Sequence, residues 1–212
     1  MVTFIIVRHG FSLGNKEKRF SGQLDTPLDE IGLSQADSIA KYVIKRFKID
    51  SIYSSDLSRA YDTVKQIGEK LSIDIKKCTA LREIDVGKWQ GKLIEEVRNE
   101  FPESFEQYKQ TPGCFKFDGG ESYEELMIRV KHAFDEIAEE NEGKTVLVGV
   151  HGGVIRSLRA AWNNIPIEKI KDIPHVPNAS ISIAEYDKGN INWIEIGYAD
   201  HLENKTTEEG VR

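Results

Sequence analysis

The sequence has no apolar run approaching the length of a bilayer span, no surplus of positive charge and only two cysteines. Each absence removes a class of function. Without about 18 to 20 consecutive apolar residues there is no membrane-spanning helix to expect. A formal net charge of -6 makes the chain a poor partner for nucleic acid or an anionic membrane, so any positive field must be local. Cys78 and Cys114 are too few and too far apart for a disulfide framework or a zinc site; they read as free thiols in a reducing compartment, which points to the cytoplasm. The amino terminus is apolar from Val2 to Val7 but lacks the basic start, the long apolar region and the small-residue cleavage site of a secretory leader. Asn178-Ala179-Ser180 and Asn204-Lys205-Thr206 therefore match the glycosylation pattern by chance.

What is present is organised around two stretches far apart in the chain. Thr3 to Val7 is an apolar, β-branched run that stops on Arg8-His9-Gly10, and Thr145 to Val150 is another that stops on His151-Gly152-Gly153. Unbroken runs of this kind suit strands buried on both faces, as parallel strands are in an α/β protein. Open parallel sheets bind ligands beyond the carboxyl ends of their strands. If the two runs are neighbours, His9 and His151 face each other across one site.

The rest of the 212 residues reads as one domain over 1–200 with a helical insertion at about 93–121, followed by a polar tail at 203–212. Residues 11–29 form a long turn-rich loop. Leu33, Ala36, Ala40, Val43 and Phe47 give a helix from Gly32 to near Lys48. Ser51 to Ser54 is a short strand, after which Ser55 or Asp56 caps a helix whose buried stripe runs from Leu57 to Leu71. Ile73 and Ile75 alternate as in a strand. Ser122 and Glu125 form a capping box for a long helix, and Asp187-Lys188-Gly189-Asn190 turns a hairpin.

Arg59 falls in the first turn of the helix after the second strand, at the sheet edge that also carries Arg8, His9 and His151. Two arginines and two histidines among glycines suit a small, highly charged anion, because guanidinium forks match phosphate oxygens. A metal is the rival explanation for paired histidines. Metal sites place carboxylates or thiolates beside the imidazoles, whereas cations stand here, so neither a metal nor a cofactor is expected.

Arg8-His9-Gly10, Asn15, Phe20-Ser21-Gly22, Asp25-Thr26-Pro27-Leu28 and Ser54 to Ala60 with Thr63 make one half of a longer pattern. Leu81-Arg82-Glu83 with Gly87, Trp89 and Gly91, then Gly119-Gly120-Glu121-Ser122 and His151-Gly152-Gly153, make the other. This ordered set resembles the histidine phosphatase superfamily, in its cofactor-dependent phosphoglycerate mutase-like branch. The resemblance implies a three-layer α/β sandwich with a central, mostly parallel sheet flanked by helices. It implies that His9 takes the phosphoryl group, that Arg8, Arg59 and His151 hold its oxygens with Asn15, Ser21, Gly22 and Gly152 as further contacts, and that Glu83 is the acid and then the base.

The function expected is a metal-independent phosphatase acting on small phosphorylated metabolites, as a monomer or homodimer. A phosphoglycerate mutase is the alternative, and a catalytically silent module binding phosphorylated ligands is the reading from another class. Family mutases carry an adjacent arginine pair in a longer insertion; between Glu83 and Glu121 this chain has Arg98 alone, among Glu95, Glu96, Glu100, Glu103 and Glu106. Phe20-Ser21-Gly22 looks more mutase-like. Phe11 stands where many relatives are polar, as a substrate wall or as packing. Lys16, Lys18, Arg19, Arg82 and Lys88 are candidates for positive potential at the mouth, and Phe101, Phe105, Tyr108, Phe115 and Phe117 for the core of the insertion rather than an aromatic pocket.

Overall fold

The computed structural model of the protein describes residues 1–202; the polar stretch from Glu203, with Asn204-Lys205-Thr206, lies outside the described residues. Val2–Arg8 forms strand β1, Leu13–Lys16 a single helical turn α1, Glu30–Arg46 helix α2, Ser51–Ser54 strand β2, Ser58–Leu71 helix α3 and Ile75–Lys77 strand β3. Two short helices, α4 (Ile94–Glu100) and α5 (Pro102–Gln110), precede the long α6 (Tyr123–Glu140). Strand β4 (Thr145–Val150), helix α7 (Gly152–Trp162) and the hairpin of β5 (Ile181–Asp187) and β6 (Asn190–Tyr198) follow. No described helix is long and apolar enough to cross a membrane.

The strands form one sheet in the order β3-β2-β4-β1-β5-β6. Its β3-β2, β2-β4 and β4-β1 pairings are parallel, and only the pairings through β5 are antiparallel. Alternation along β1 explains why its residues read as a continuous apolar run. Phe4 and Ile6 enter a core shared with α6 and α7, while Ile5 and Val7 enter a second core shared with α2 and α3. Each such side chain contributes about 1.5–3 kcal/mol through burial, and neither face of the strand has water to prefer. Helices thus cover both faces, giving three layers.

The register of the central pair sets the site. Arg8 lies opposite Val150, so His9 and His151 leave the sheet at the same level. The chain after β1 passes to α2 on one face and the chain after β4 enters α7 on the other. The crevice between them is the kind of switch point at which α/β sheets bind ligands.

Three local expectations change. Helix α2 starts two residues earlier than Gly32, because Asp29 accepts the Gly32 N–H at 2.9 Å, and it ends at Arg46. The Ile73 and Ile75 alternation yields a strand only over Ile75–Lys77. Neither Ser55 nor Asp56 caps α3. Leu57 occupies the cap position without a side-chain bond, and Asp25, from the long loop, accepts the Ser58 N–H and hydroxyl, both at 2.7 Å. Ser55 is drawn away to His151 and Asp56 to Arg82. The Ser122 and Glu125 capping box forms as the spacing predicts.

Candidate active site

His9 is fixed by its own backbone before its ring does anything. Its N–H donates to Val150 at 2.9 Å, and its carbonyl accepts the Ala179 N–H at 3.0 Å and the Asn178 amide at 3.3 Å. Gly10 donates its N–H to Thr63 Oγ1, which in turn donates to the Arg59 carbonyl. The ring Nδ1 lies 2.7 Å from the Gly10 carbonyl. A carbonyl only accepts, so Nδ1 carries the proton and Nε2 keeps its lone pair.

Both imidazoles are held well below the usual histidine range. For His9 burial is the larger cause, followed by Arg59 and Arg8, with the Gly10 bond acting in the opposite sense. For His151 burial again comes first, then Arg59, His9 and Arg8. The rings are 5.2 Å apart. His9 faces a cavity of about 560 Å³, whereas His151 is fully buried behind it. Arg59 is also almost wholly buried. It donates to the Gly22 carbonyl at 2.8 Å and the Leu24 carbonyl at 2.9 Å, so it ties the long loop to the site while its charge stands beside both histidines. Arg8 donates to the Val176 carbonyl at 2.6 Å.

Glu83 arrives from an irregular loop and is held at the amino end of α7. Its Oε2 accepts the Gly153 N–H and its Oε1 the Ile84 N–H, each at 2.9 Å. The loop is clamped from outside. Arg129 of α6 donates to the Ala80 and Arg82 carbonyls and pairs with Glu121 at 2.7 and 2.8 Å. Glu121 also accepts the Asp85 N–H at 2.9 Å. A Cβ on Gly120 would stand 2.3 Å from the Asp85 carbonyl oxygen, so this loop closes only over a glycine. The Gly119-Gly120-Glu121 sequence therefore serves the position of Glu83.

The structure gathers Arg8, His9, Asn15, Ser21, Gly22, Arg59, Glu83 and Gly152 around a single cavity, with the fully buried His151 ring 5.2 Å from that of His9. Asn15 accepts at Oδ1 from the Ser12 N–H and hydroxyl, both at 2.9 Å, and from Asn178 at 3.3 Å. Its oxygen is thus committed to the loop. Gly22 is in the left-handed region, and its carbonyl is taken by Arg59.

The remaining candidates divide. Phe11 is a wall of the cavity. Phe101, Phe105 and Phe115 surround Trp89 in the core, but Tyr108 and Phe117 line the cavity as well, so this section of the chain supplies part of an aromatic wall. Arg82 pairs with Asp56 at 2.5 Å and Lys88 with Asp118 at 2.5 Å, and neither lines the cavity. Arg19 does, but pairs with Glu17 at 2.5 Å. Lys16 and Lys18 line it with no ion pair among the described residues.

Arg129 and His175 escape the sequence reading, because no motif spacing sets them apart from ordinary polar residues. Ser55 and Thr63 lie within the ordered pattern and Asn178 within a chance glycosylation match, but nothing in the sequence gives any of the three a part in the site. Arg156 donates to the Ile170 carbonyl, and its Nη1 lies 2.9 Å from His175 Nε2 at the cavity wall. Arginine only donates, so His175 accepts at Nε2 and carries its hydrogen on Nδ1.

A family model described as the histidine phosphatase superfamily (branch 1) matches residues 4–198. Phosphoserine phosphatase 1 of Hydrogenobacter thermophilus is 33% identical over 202 residues, covering 95% of this chain and 95% of that protein. Among solved structures, Bacillus stearothermophilus YhfR superposes with a TM-score of 0.91 at 31% identity, covering 96% of this chain and 100% of that one. The mycobacterial glucosyl-3-phosphoglycerate phosphatase, in complex with VO3, gives 0.84 at 29% identity over 93% of this chain and 99% of that one.

Proposed function

The chain belongs to the histidine phosphatase superfamily, branch 1, and from that premise we propose that it hydrolyses small phosphate monoesters through a phosphorylated His9, without a metal. The observation that carries this reading is the His9 ring. Its proton is committed to the Gly10 carbonyl, its burial and two neighbouring guanidinium groups keep it uncharged, and Nε2 is left as a lone pair at a cavity.

Nε2 forms the bond to phosphorus as the bond to the leaving oxygen breaks, and Glu83 gives that oxygen its proton. Glu83 then takes a proton from water, whose oxygen attacks the phosphohistidine; the P–N bond breaks and inorganic phosphate leaves. Arg8 and Arg59 supply the positive charge that the transferring group needs, which is the main catalytic requirement of phosphoryl transfer. Asn15 contributes through its amide nitrogen, since its oxygen is occupied, and Gly152, Ser21 and Gly22 bring backbone to the same place. The groups beside His9 are the cations Arg8 and Arg59 rather than carboxylates or thiolates, and their charge takes the part that a metal ion plays in other phosphoryl transfers.

A cavity of about 560 Å³ suits a metabolite-sized leaving group. Its wall is aromatic, and Lys16 and Lys18 at its mouth favour a substrate with a second anionic group. With two free thiols the location proposed is the cytoplasm. One domain carries the reaction, as a monomer or homodimer, with the 93–121 section lending Ile94, Tyr108 and Phe117 to the cavity.

The test is hydrolysis of a chromogenic aryl phosphate and of a panel of phosphorylated metabolites with and without a second anion, in the presence of chelator. We expect turnover, insensitivity to chelator, and an acid-labile, base-stable phosphoryl adduct that His9→Ala abolishes. Label on a serine, or activity lost to chelator and restored by a divalent ion, overturns the mechanism. Phe20, Ser21 and Gly22 on the cavity wall favour a mutase as the second reading. Incubation with 3-phosphoglycerate and catalytic 2,3-bisphosphoglycerate separates the two, because a mutase forms 2-phosphoglycerate much faster than inorganic phosphate.

A further inference from the structure

Ser55 has no part in the roles set out above, yet its side chain touches the second histidine. Both residues are fully buried. Ser55 Oγ lies 2.9 Å from His151 Nε2 and accepts the Leu57 N–H at 3.3 Å. The Ser55 main chain is tied to β4 by its N–H to the Gly149 carbonyl at 2.9 Å, so the hydroxyl is held in place by two strand ends at once. On the opposite side of the imidazole, the buried Nδ1 has no hydrogen-bond partner among the described residues.

Where the protons go follows from counting. If Nε2 carried the imidazole hydrogen, Ser55 Oγ would accept from both His151 and Leu57. The hydroxyl hydrogen would then have no acceptor, and Nδ1 would be a buried lone pair without a donor. If Ser55 instead donates to Nε2, its hydroxyl is fully used as acceptor and donor, and a single group remains open, the Nδ1–H. Unsatisfied buried polar groups are costly, so the second arrangement is the stable one.

We propose that Ser55 is a positioning residue: its hydroxyl donates to His151 Nε2 and holds that imidazole as the neutral tautomer with its hydrogen on Nδ1, ready to donate to a non-bridging oxygen of the transferring phosphoryl group. The last clause rests on the phosphatase reading; the tautomer does not. The two imidazoles then divide the work. His9 presents a lone pair because a carbonyl holds its hydrogen, and His151 presents a hydrogen because a hydroxyl fills its lone pair. An open buried donor in the unliganded protein is the group an oxyanion satisfies on arrival.

The experiment is long-range proton–nitrogen correlation on the protein with 15N-labelled histidine near pH 7.5, with His151 assigned by the loss of its signals in His151→Gln. We expect His151 in the wild-type protein to show a protonated Nδ1 and an unprotonated Nε2; a protonated Nε2 overturns the proposal. In Ser55→Ala the protonated-Nδ1 form should give way to the other tautomer or a mixture. Its kcat toward an aryl phosphate should drop about 10²-fold, as for loss of one oxyanion donor, with KM changed by much less, and Ser55→Thr should recover most of it. An alanine variant that keeps both the wild-type tautomer and the wild-type kcat also overturns it. If Ser55→Ala does not fold, the wild-type spectrum decides alone. If the protein hydrolyses no phosphate ester, the phosphatase reading fails and the spectrum still judges what Ser55 does.

Discussion

Single atoms decide the layout of the site. Gly153, which follows the second histidine by two positions, shows this well. A Cβ there would lie 2.2 Å from Glu83 Oε1, while the glycine's own N–H donates to the other carboxylate oxygen. The obstacle is the end of a flexible side chain, so the backbone has no reason to move and the carboxylate has every reason to. Gly153 sits in the first turn of α7, where alanine is preferred over glycine by roughly 0.5–1 kcal/mol. Gly153→Ala should therefore leave thermal stability unchanged or slightly raised while kcat falls about 10²-fold, the cost of roughly an ångström of misplacement. A stability loss proportionate to the activity loss would show that the glycine serves packing instead. Gly152 obeys a milder form of the rule, its Cβ position lying 3.2 Å from the Arg8 guanidinium carbon.

At the level of elements, the unexpected device is the cap of α3. The helix bearing Arg59 begins at Ser58 with no cap from its own preceding residues, and Asp25 supplies one from the long loop. Arg59 returns the link by donating to the Gly22 and Leu24 carbonyls of the same loop. Loop and helix thus hold each other. Asp25→Ala removes a capping carboxylate worth about 0.5–2 kcal/mol, which for a domain of this size lowers the thermal midpoint by about 1–8 °C. Because the loop also carries cavity residues Ser21 and Gly22, KM for a phosphate monoester should rise in the same variant. Scanning calorimetry and steady-state kinetics check both, and a variant with unchanged midpoint and unchanged KM would show the bond to be ornamental. The Glu83 loop is managed in a similar way, by an arginine from α6 that reaches its carbonyls and by Glu121, which meets its backbone nitrogen at Asp85.

For the whole molecule, two buried histidines held uncharged have a consequence for acid stability. In the unfolded chain each takes up a proton as pH falls through about 6.5; in the fold both resist protonation until well below that. The unfolded state then binds more protons, so stability is fully present above about pH 6.5 and is lost as pH falls beneath it. The thermal midpoint should decline from pH 7 towards pH 5, and His9→Asn should shrink that decline by the share of His9. A midpoint that is level over this range in the wild type would mean that the histidines are not held neutral. The same shift leaves the nucleophile available in mild acid, so the acid limb of kcat/KM assigned to His9 should fall below pH 6.5.

The two strands that carry the histidines are legible in the sequence because a strand buried on both faces has no polar alternative at any position, and the run from Thr3 to Val7 records that directly. The helices flanking the sheet are legible from their apolar stripes, and the family from the order of motifs that share no local period. Helix limits and caps are less so, since a side chain such as Ser55 or Asp56 can cap its own helix or leave for a partner brought near only by folding. Among the cations the same holds. Lys16, Lys18, Arg19, Arg82 and Lys88 are alike in the sequence; Arg19 finds its partner two residues away in Glu17, but only tertiary structure, by bringing Asp56 and Asp118 within 2.5 Å of Arg82 and Lys88, decides which of the others remain to face the cavity. Register along a strand is written locally in hydrophobicity, whereas the partner of a polar atom is chosen among groups tens of residues away, and that choice belongs to the fold.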